Sequence, residues 1–267
     1  MELDLEICRT IAIRYGLPLQ FVFKEFRLMD VISQIASITI QKRGSLVFKG
    51  GTALNKVYLQ KMQRFSEDAD FDLVTTNSSK ELYEFSRKLA SEINGYEIVD
   101  LRRVRSTMQF YCMYETPLGG KDHVRIDIAS KRLLTAKPLK NNMIISGFTH
   151  SSVSGIPIYS IEDLTARKMH ALANRAEGKD LYDVHTALPM CSKKVLKTAT
   201  ELMLKSEGER GTVDSFMQRT IVRLKKSNPK KMRNLTNPFI PAASRPKSWE
   251  ELKNDLLAML EDFQNDL

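Results

Sequence analysis

The sequence predicts an α/β protein with a mixed sheet flanked by helices, followed by a C-terminal helical lobe. In the first half, short apolar or alternating segments lie between turn residues, as is typical of strands, with helical stretches around them. In the second half, apolar residues recur at helical spacing behind capping residues. We therefore predict an N-terminal lobe over residues 1–155 and a helical lobe over residues 156–267.

Helices and strands are expected to alternate in the first lobe. Residues 1–43 have a helical pattern with a break at Gly16-Leu17-Pro18, where proline can open a second helix. Leu46-Val47-Phe48 predicts a buried strand that enters a glycine turn, and a helix is predicted over residues 52–62. The other predicted segments are a helix at 79–94 and strands at 71–74, 96–104, 107–114, 123–129 and 143–148.

The second lobe is expected to contain helices only. Ser160-Ile161-Glu162-Asp163 resembles a capping box, which predicts a helix that runs to about Glu177 and is ended by Gly178. Further helices are predicted at 180–188, 193–205 and 213–224 and after a cap at Ser248, and the prolines between 229 and 246 indicate a loop.

Composition excludes several classes of protein. Three scattered cysteines and four scattered histidines lack metal-binding spacing, which argues against structural zinc and a disulfide framework. The chain has no run of about 18 apolar residues. It starts with the acidic Met1–Glu6, where a signal peptide would be basic. We therefore expect a cytoplasmic protein without a membrane partner.

The positive charge is concentrated in one segment, residues 219–247, which we call the basic segment. It holds nine of the 41 lysines and arginines and no acid, so 32 basic residues balance 32 acids elsewhere. Such a segment could bind RNA through its phosphates. A solvated loop or a surface that docks a partner protein is the alternative.

Asp68, Asp70 and Asp72 alternate along an extended segment, seventeen residues and more after Gly51 of a Gly-Gly turn. Residues two apart on a strand point to the same face, so these carboxylates would repel one another unless cations lie among them. Beyond a turn that can hold phosphate, the pattern predicts a divalent-metal site for nucleotide chemistry.

Two other motifs do not fit these residues. An EF-hand loop that begins at Asp68 needs glycine where Leu73 stands and glutamate where Ser79 stands. A Walker A loop needs GxxxxGK[ST], which residues 50–54 do not supply.

Residues 49–54 (KGGTAL) and 64–70 (RFSEDAD) together resemble the signature of polymerase-β-type nucleotidyltransferases, in its AbiEii toxin form. Motifs that resemble the second half of that family follow in order: Glu162-Asp163-Leu164, Lys168-Met169-His170-Ala171-Leu172, Arg175 and Lys179-Asp180-Leu181-Tyr182-Asp183. The resemblance implies a nucleotidyltransferase core with a mixed sheet and flanking helices. It also implies transfer of a nucleotidyl group from an NTP to a hydroxyl.

Asp68 and Asp70 are the expected ligands of Mg²⁺, which would neutralise charge that develops on the phosphates. Asp127 is the candidate for a third carboxylate, because alternation along 123–128 points it away from the core side. Asp72 competes for that role. A carboxylate paired with Arg125 or another neighbour is the alternative for Asp127.

The nucleotide is expected to bind at Lys49, Gly50, Gly51 and Thr52, because free backbone amides at a helix start can hold phosphate oxygens. Ser66 would share the face of the acid pair and bond to a phosphate or a metal-bound water. In the resembled family this serine can become modified by phosphate transfer. A turn-forming serine is the alternative.

As the resemblance implies, Lys168 would contact the triphosphate, and Asp180 would support the acceptor or Lys168. The residues alone favour an exposed helical lysine at 168 and allow an N-cap at Asp180.

Members of the resembled family are toxins paired with an antitoxin, and some modify the 3′ end of tRNA. This implies an RNA acceptor, an NTP substrate and a cognate antitoxin partner. Two alternatives stay open: nucleotidylation or phosphorylation of a protein or small molecule, and a non-catalytic module that binds RNA or protein.

Overall fold

The computed structural model describes residues 3–41, 46–74, 79–130 and 133–266. Its contacts divide the chain into two compact units. The first comprises Met1–Arg132, Lys140–Ile158 and Pro241–Ala243, and the second comprises Leu133–Leu139, Tyr159–Ile240 and Ser244–Leu267. Along these described ranges, no helix is both long and apolar enough to cross a bilayer.

A mixed five-stranded sheet forms the centre of the first unit. Its strands are β1 (Leu46–Lys49), β2 (Asp68–Leu73), β3 (Glu97–Val104), β4 (Thr107–Glu115) and β5 (Lys121–Ser130). They lie in the order β1-β2-β5-β4-β3. β2 runs parallel to β5, and the other neighbouring strands are antiparallel. A separate hairpin pairs β6 (Ile144–Ser146) with β7 (Ser151–Val153).

Helices flank this sheet, as the sequence predicts, and the predicted fold class is confirmed. They are α1 (Leu5–Tyr15), α2 (Leu19–Gln41), the short α3 (Gly50–Ala53) and α4 (Ser79–Glu92). The predicted break is confirmed, because Gly16 has φ +60° and caps the end of α1. Residues 42 and 43, which were also predicted to be helical, lie outside the described residues.

The segment after the glycine turn differs from the regular helix predicted over residues 52–62. α3 continues as a π-helical stretch, Leu54–Leu59, and ends in a 3₁₀ turn at Gln60–Met62. Lys56 in this stretch is fully buried and forms an ion pair with Glu25 of α2. Apolar spacing alone predicts only a regular helix, because it does not encode a buried ionic partner 31 residues away.

The second unit is built from helices around one apolar core that includes Met169, Leu172 and Met217. They are α5 (Ile161–Arg175), α6 (Gly178–Ala187), α7 (Lys193–Glu207), α8 (Val213–Lys225), α9 (Pro229–Thr236) and α10 (Trp249–Asn265). The predicted cap of α5 is confirmed, since Ser160 Oγ accepts a hydrogen bond from the backbone N–H of Asp163.

Two boundary predictions in this unit were wrong. α5 ends at Arg175 and is capped by Ala176, which has φ +50°, and Gly178 begins α6 instead of ending α5. Pro229 opens α9 instead of lying in a loop, because proline is suited to the first helical position, where no intrahelical N–H bond is needed.

Candidate active site

The pairing of β2 with β5 aligns the candidate metal ligands. In the parallel register Asp70 lies opposite Asp127, and Asp68 lies opposite Arg125. Side chains in register on neighbouring strands share a face, and so do residues two apart on one strand. Asp68, Asp70 and Asp127 therefore project from one face of the sheet.

The glycine turn approaches Asp70 closely. Gly50 has φ +76°, and a Cβ at this position would lie 2.1 Å from Asp70 Oδ2. Only glycine allows both the left-handed backbone and this approach. The turn is also tied to β2 by Thr52, whose hydroxyl donates a 2.5 Å hydrogen bond to the backbone carbonyl of Asp68. The hydroxyl of Thr52 therefore holds the turn against β2.

Burial and two neighbouring carboxylates disfavour the ionised form of Asp70. Burial first, and then the charges of Asp68 and Asp127, raise the pKa of Asp70 to about 7, against the opposing effects of Lys49 and Arg125. A cation beside such a carboxyl group would favour its ionised form. Three hard carboxylate donors at such a place fit Mg²⁺ in chemistry.

Arg125 already contacts two of these carboxylates. Its Nη2 donates a hydrogen bond to Asp68 Oδ2, and its Nε lies 3.2 Å from Asp127 Oδ2. Gln109 Nε2 donates to the other oxygen of Asp127 at 2.9 Å. Burial opposes the charge of Arg125, but Asp68 and Asp127 outweigh it and raise the pKa of the guanidinium. The alternative of an Asp127 paired with Arg125 is therefore what the structure contains.

Across the described ranges, no three histidine, cysteine, aspartate or glutamate side chains are grouped so that they could hold a metal ion. In this structure the side chain of Arg125 lies against the carboxylates of both Asp68 and Asp127. Sequence reasoning treated Arg125 only as a neighbour of Asp127. The alternation that placed Asp127 on its face also places Arg125 there, since the two are two residues apart.

Asp72, the competitor for the third carboxylate, is fully buried and forms an ion pair with Lys49. Lys49 was predicted to bind nucleotide, and here its ammonium group contacts this carboxylate. The roles of both residues toward metal and nucleotide stay predictions.

Ser66 lies two residues before Asp68, in a buried position. Its side chain is 2% exposed, and its hydroxyl oxygen has no hydrogen-bond partner among the described residues. A buried hydroxyl without a partner is costly and calls for an explanation such as a missing ligand or water. Transfer of phosphate to Ser66 would require this oxygen to become exposed.

Lys168 and Asp180 belong to the second unit, where they form a buried cluster. Lys168 Nζ lies 2.9 Å from both Asp180 Oδ1 and Asp183 Oδ2, and Arg175 donates two hydrogen bonds to Asp180. Burial would raise the pKa of Asp180, but Lys168 and Arg175 outweigh it and lower the pKa to about 2. Asp180 is therefore an ionised counter-ion of Lys168.

Two alternatives for this cluster are contradicted. Lys168 is 8% exposed, so it is not an exposed helical lysine. Asp180 does not cap α6, because Glu177 occupies the N-cap position. Asp183, to which the sequence analysis gave no role, contacts Lys168 at the same distance as Asp180 does.

A cleft of about 650 Å³ opens in the second unit between the start of α6, the end of α8 and α9. We call it the basic cleft. Its charged lining is basic apart from Glu177: Arg175, Lys179, Arg223, Lys226 and Lys231. Apolar lining comes from Met232, Leu235 and Phe239, of which Leu235 is 62% exposed.

The structure separates six of the nine charges of the basic segment into two groups. Arg219 and Lys225 are paired with Glu209 and Glu261, and Arg245 donates to backbone carbonyls. Arg223, Lys226 and Lys231 line the basic cleft together with Arg175 and Lys179, which lie outside the segment. The sequence could not predict this, because α6 joins the cleft only through the fold.

Comparison with known proteins identifies the family and supports the fold. The family model for the nucleotidyl transferase AbiEii toxin of type IV toxin–antitoxin systems matches residues 37–267. MenT4, a nucleotidyltransferase toxin from Mycobacterium tuberculosis, is 18% identical, with a TM-score of 0.65 over 100% of this chain and 91% of its own. JHP933 from Helicobacter pylori is 17% identical, with a TM-score of 0.57 over 94% of each chain. A search of curated proteins finds no match.

Proposed function

Because the chain belongs to the AbiEii family of nucleotidyltransferase toxins, we propose that it transfers a nucleotidyl group from an NTP to an RNA hydroxyl with Mg²⁺ as cofactor. The family makes the chain a nucleotidyltransferase and implies an NTP substrate and an antitoxin partner. One observation carries the finer proposal: three carboxylates share one face of the sheet, and the glycine turn reaches one of them.

In this reaction the acceptor oxygen bonds to the α-phosphorus, the bond to the β-phosphate oxygen breaks, pyrophosphate leaves and the hydroxyl proton passes to solvent. Asp68, Asp70 and Asp127 are the residues that would hold Mg²⁺. The ion would supply neutralisation of the charge on the reacting phosphates. The backbone amides of Gly50 and Gly51 bind phosphate oxygens in this proposal.

Lys168 is proposed as a ligand of the triphosphate, and Asp180 as the residue that orients it. The contacts at 2.9 Å with Asp180 and Asp183 support the second part of this role, since they hold the ammonium group in a fixed place. A compact, mobile cation such as lysine can exchange one carboxylate partner for a phosphate oxygen.

RNA is proposed as the acceptor, with the 3′ end of tRNA as the favoured position and the cytoplasm as the place of reaction. The basic cleft supports an RNA partner, because its five basic side chains and its apolar wall suit phosphates and an unstacked base. A protein or small-molecule acceptor would not need such a surface.

Labelled NTPs, Mg²⁺ and total RNA test this function. We expect label to enter RNA with the wild type and the rate to fall by at least about a hundredfold in Asp68→Ala, because one metal ligand is lost. Asp255→Ala is the control, since Asp255 is an exposed carboxylate of α10 that pairs with His185. Label in protein or small molecules would favour the alternative acceptors, and full activity of Asp68→Ala would move the metal site elsewhere.

A further inference from the structure

Arg125 contacts two of the three carboxylates proposed as metal ligands. It touches Asp68 through Nη2 and Asp127 through Nε, so one guanidinium spans two strands and two carboxylates. Its side chain nevertheless remains 40% exposed, whereas that of Asp127 is 16% exposed. The guanidinium is therefore held by the two carboxylates, while part of the Arg125 side chain is in contact with solvent.

The oxygens that Arg125 contacts belong to two of the residues proposed to hold the metal. Arg125 engages Asp68 Oδ2 by a hydrogen bond and Asp127 Oδ2 by an ion pair at 3.2 Å. An oxygen engaged in this way cannot at the same time coordinate a cation with full strength, because both need the same lone pairs. The guanidinium of Arg125 and a cation bound to the same carboxylates would also repel each other. Arginine stays protonated at every working pH, so it cannot yield by losing its charge. It can yield only by moving.

We propose that Arg125 is the counter-ion of the metal-free site and competes with the divalent cation, which binds when the guanidinium leaves Asp68 and Asp127. This inference rests on the proposed function, because it takes these carboxylates as the metal ligands. The long side chain of Arg125 can swing outward while its stem stays packed. The exposed 40% of that side chain is the part of the geometry that permits the exchange.

If Arg125 is purely structural, its loss should leave metal affinity unchanged or weaken it, because the carboxylates would lose their alignment. If Arg125 competes with the metal, its loss should increase metal affinity, because the cation no longer has to displace a partner. Metal affinity in the absence of any nucleotide separates the two, and it does not depend on catalysis.

Titration of the nucleotide-free protein with Mn²⁺, followed by the electron paramagnetic resonance of free Mn²⁺, measures this affinity. We expect Arg125→Gln to lower the dissociation constant at least about tenfold. Arg125→Lys, which keeps the charge but lacks the fork that reaches both carboxylates, should fall between Arg125→Gln and the wild type. Arg102→Gln is the matched control, because Arg102 pairs with Asp100 at 3.3 Å on β3 and should bind Mn²⁺ as the wild type does.

Equal or weaker binding by a folded Arg125→Gln protein, with folding checked by circular dichroism, would overturn the competition. No binding of Mn²⁺ to the wild type would overturn the proposed metal site itself, which is a different result.

The wild type offers a second measurement if the variants do not fold. In wild-type protein labelled with ¹⁵N in arginine, the Nε resonance of Arg125, assigned through its connectivity to the backbone of residue 125, should shift on addition of Mg²⁺ and show faster exchange with water. An Nε resonance that keeps its position and its protection at saturating Mg²⁺ would contradict the proposal.

Discussion

Gly50 adopts φ +76°, and a Cβ there would lie 2.1 Å from Asp70 Oδ2. Gly95 has a similar φ of +80° but open space where its Cβ would lie. Alanine at either position takes on left-handed strain, whereas only alanine at 50 also collides with Asp70. We expect Gly95→Ala to lower the free energy of unfolding by about 1 kcal/mol and Gly50→Ala by about 3 kcal/mol.

Urea denaturation of the two variants checks this difference. Mn²⁺ binding should weaken in Gly50→Ala alone, because the carboxyl group of Asp70 must move. An equal loss of stability in both variants would show that backbone strain alone makes glycine necessary at position 50.

The sequence predicts which residues form the site better than it predicts which residues they contact. The Gly-Gly turn and the alternating acids are local patterns, so their shared face follows from strand geometry. The pair of Arg125 with Asp68 and that of Lys49 with Asp72 join residues 57 and 23 positions apart. No local pattern encodes such pairs, because they depend on which strands become neighbours.

Among the helices, α5 and α6 are joined by a buried ionic cluster. The pKa of Asp180 in the folded state is about 2, below the 3.8 of a free aspartate side chain, because Lys168 and Arg175 outweigh burial. A carboxyl group whose pKa falls on folding contributes stability that is present above the unfolded pKa and lost as pH falls through the folded pKa. The shift corresponds to about 2 kcal/mol at neutral pH, lost progressively from about pH 4 to pH 2.

We expect Asp180→Asn to lower the free energy of unfolding at pH 7 by about 3 kcal/mol, because the buried Lys168 then loses a charged carboxylate partner. The same variant should lose less stability than the wild type between pH 5 and pH 3. Urea unfolding at pH 7, 5 and 3 measures both effects. Asp255→Asn is the control, because Asp255 is an exposed partner of His185. A parallel pH dependence in the wild type and Asp180→Asn would contradict the assigned pKa.

Element boundaries could be predicted where a local signal fixes them. Ser160 and Gly16 are such signals, since a cap acts through its own neighbours. The π-helical stretch Leu54–Leu59 could not be predicted in this way, because Lys56 is buried against Glu25 of another helix. Gly178 was misjudged for the same reason: Thr236 of α9 occupies the space a side chain would need, with Oγ1 2.3 Å from its Cβ position.

For the whole molecule, the sequence locates the excess charge but not the surface that it forms. The chain carries a formal net charge of +9, and the nine charges of the basic segment account for it. Ion pairs inside the second unit engage Arg219 and Lys225, whereas the basic cleft gathers Lys226 and Lys231 with two basic residues from before the segment. The surface available to a polyanion is therefore narrower than the segment, and part of it comes from elsewhere in the chain.

We expect Lys226→Gln/Lys231→Gln to weaken binding of labelled tRNA and to reduce the slope of log affinity against log salt by about 1.4, since each lost phosphate contact removes about 0.7 on a single strand. Fluorescence anisotropy at several salt concentrations measures the slope. Lys80→Gln/Lys88→Gln on α4 is the matched control, because it removes two charges from exposed positions that do not line the cleft. An equal loss of slope in both double variants would mean that net charge alone attracts RNA. An unchanged slope in the cleft variant would assign the basic cleft to another partner.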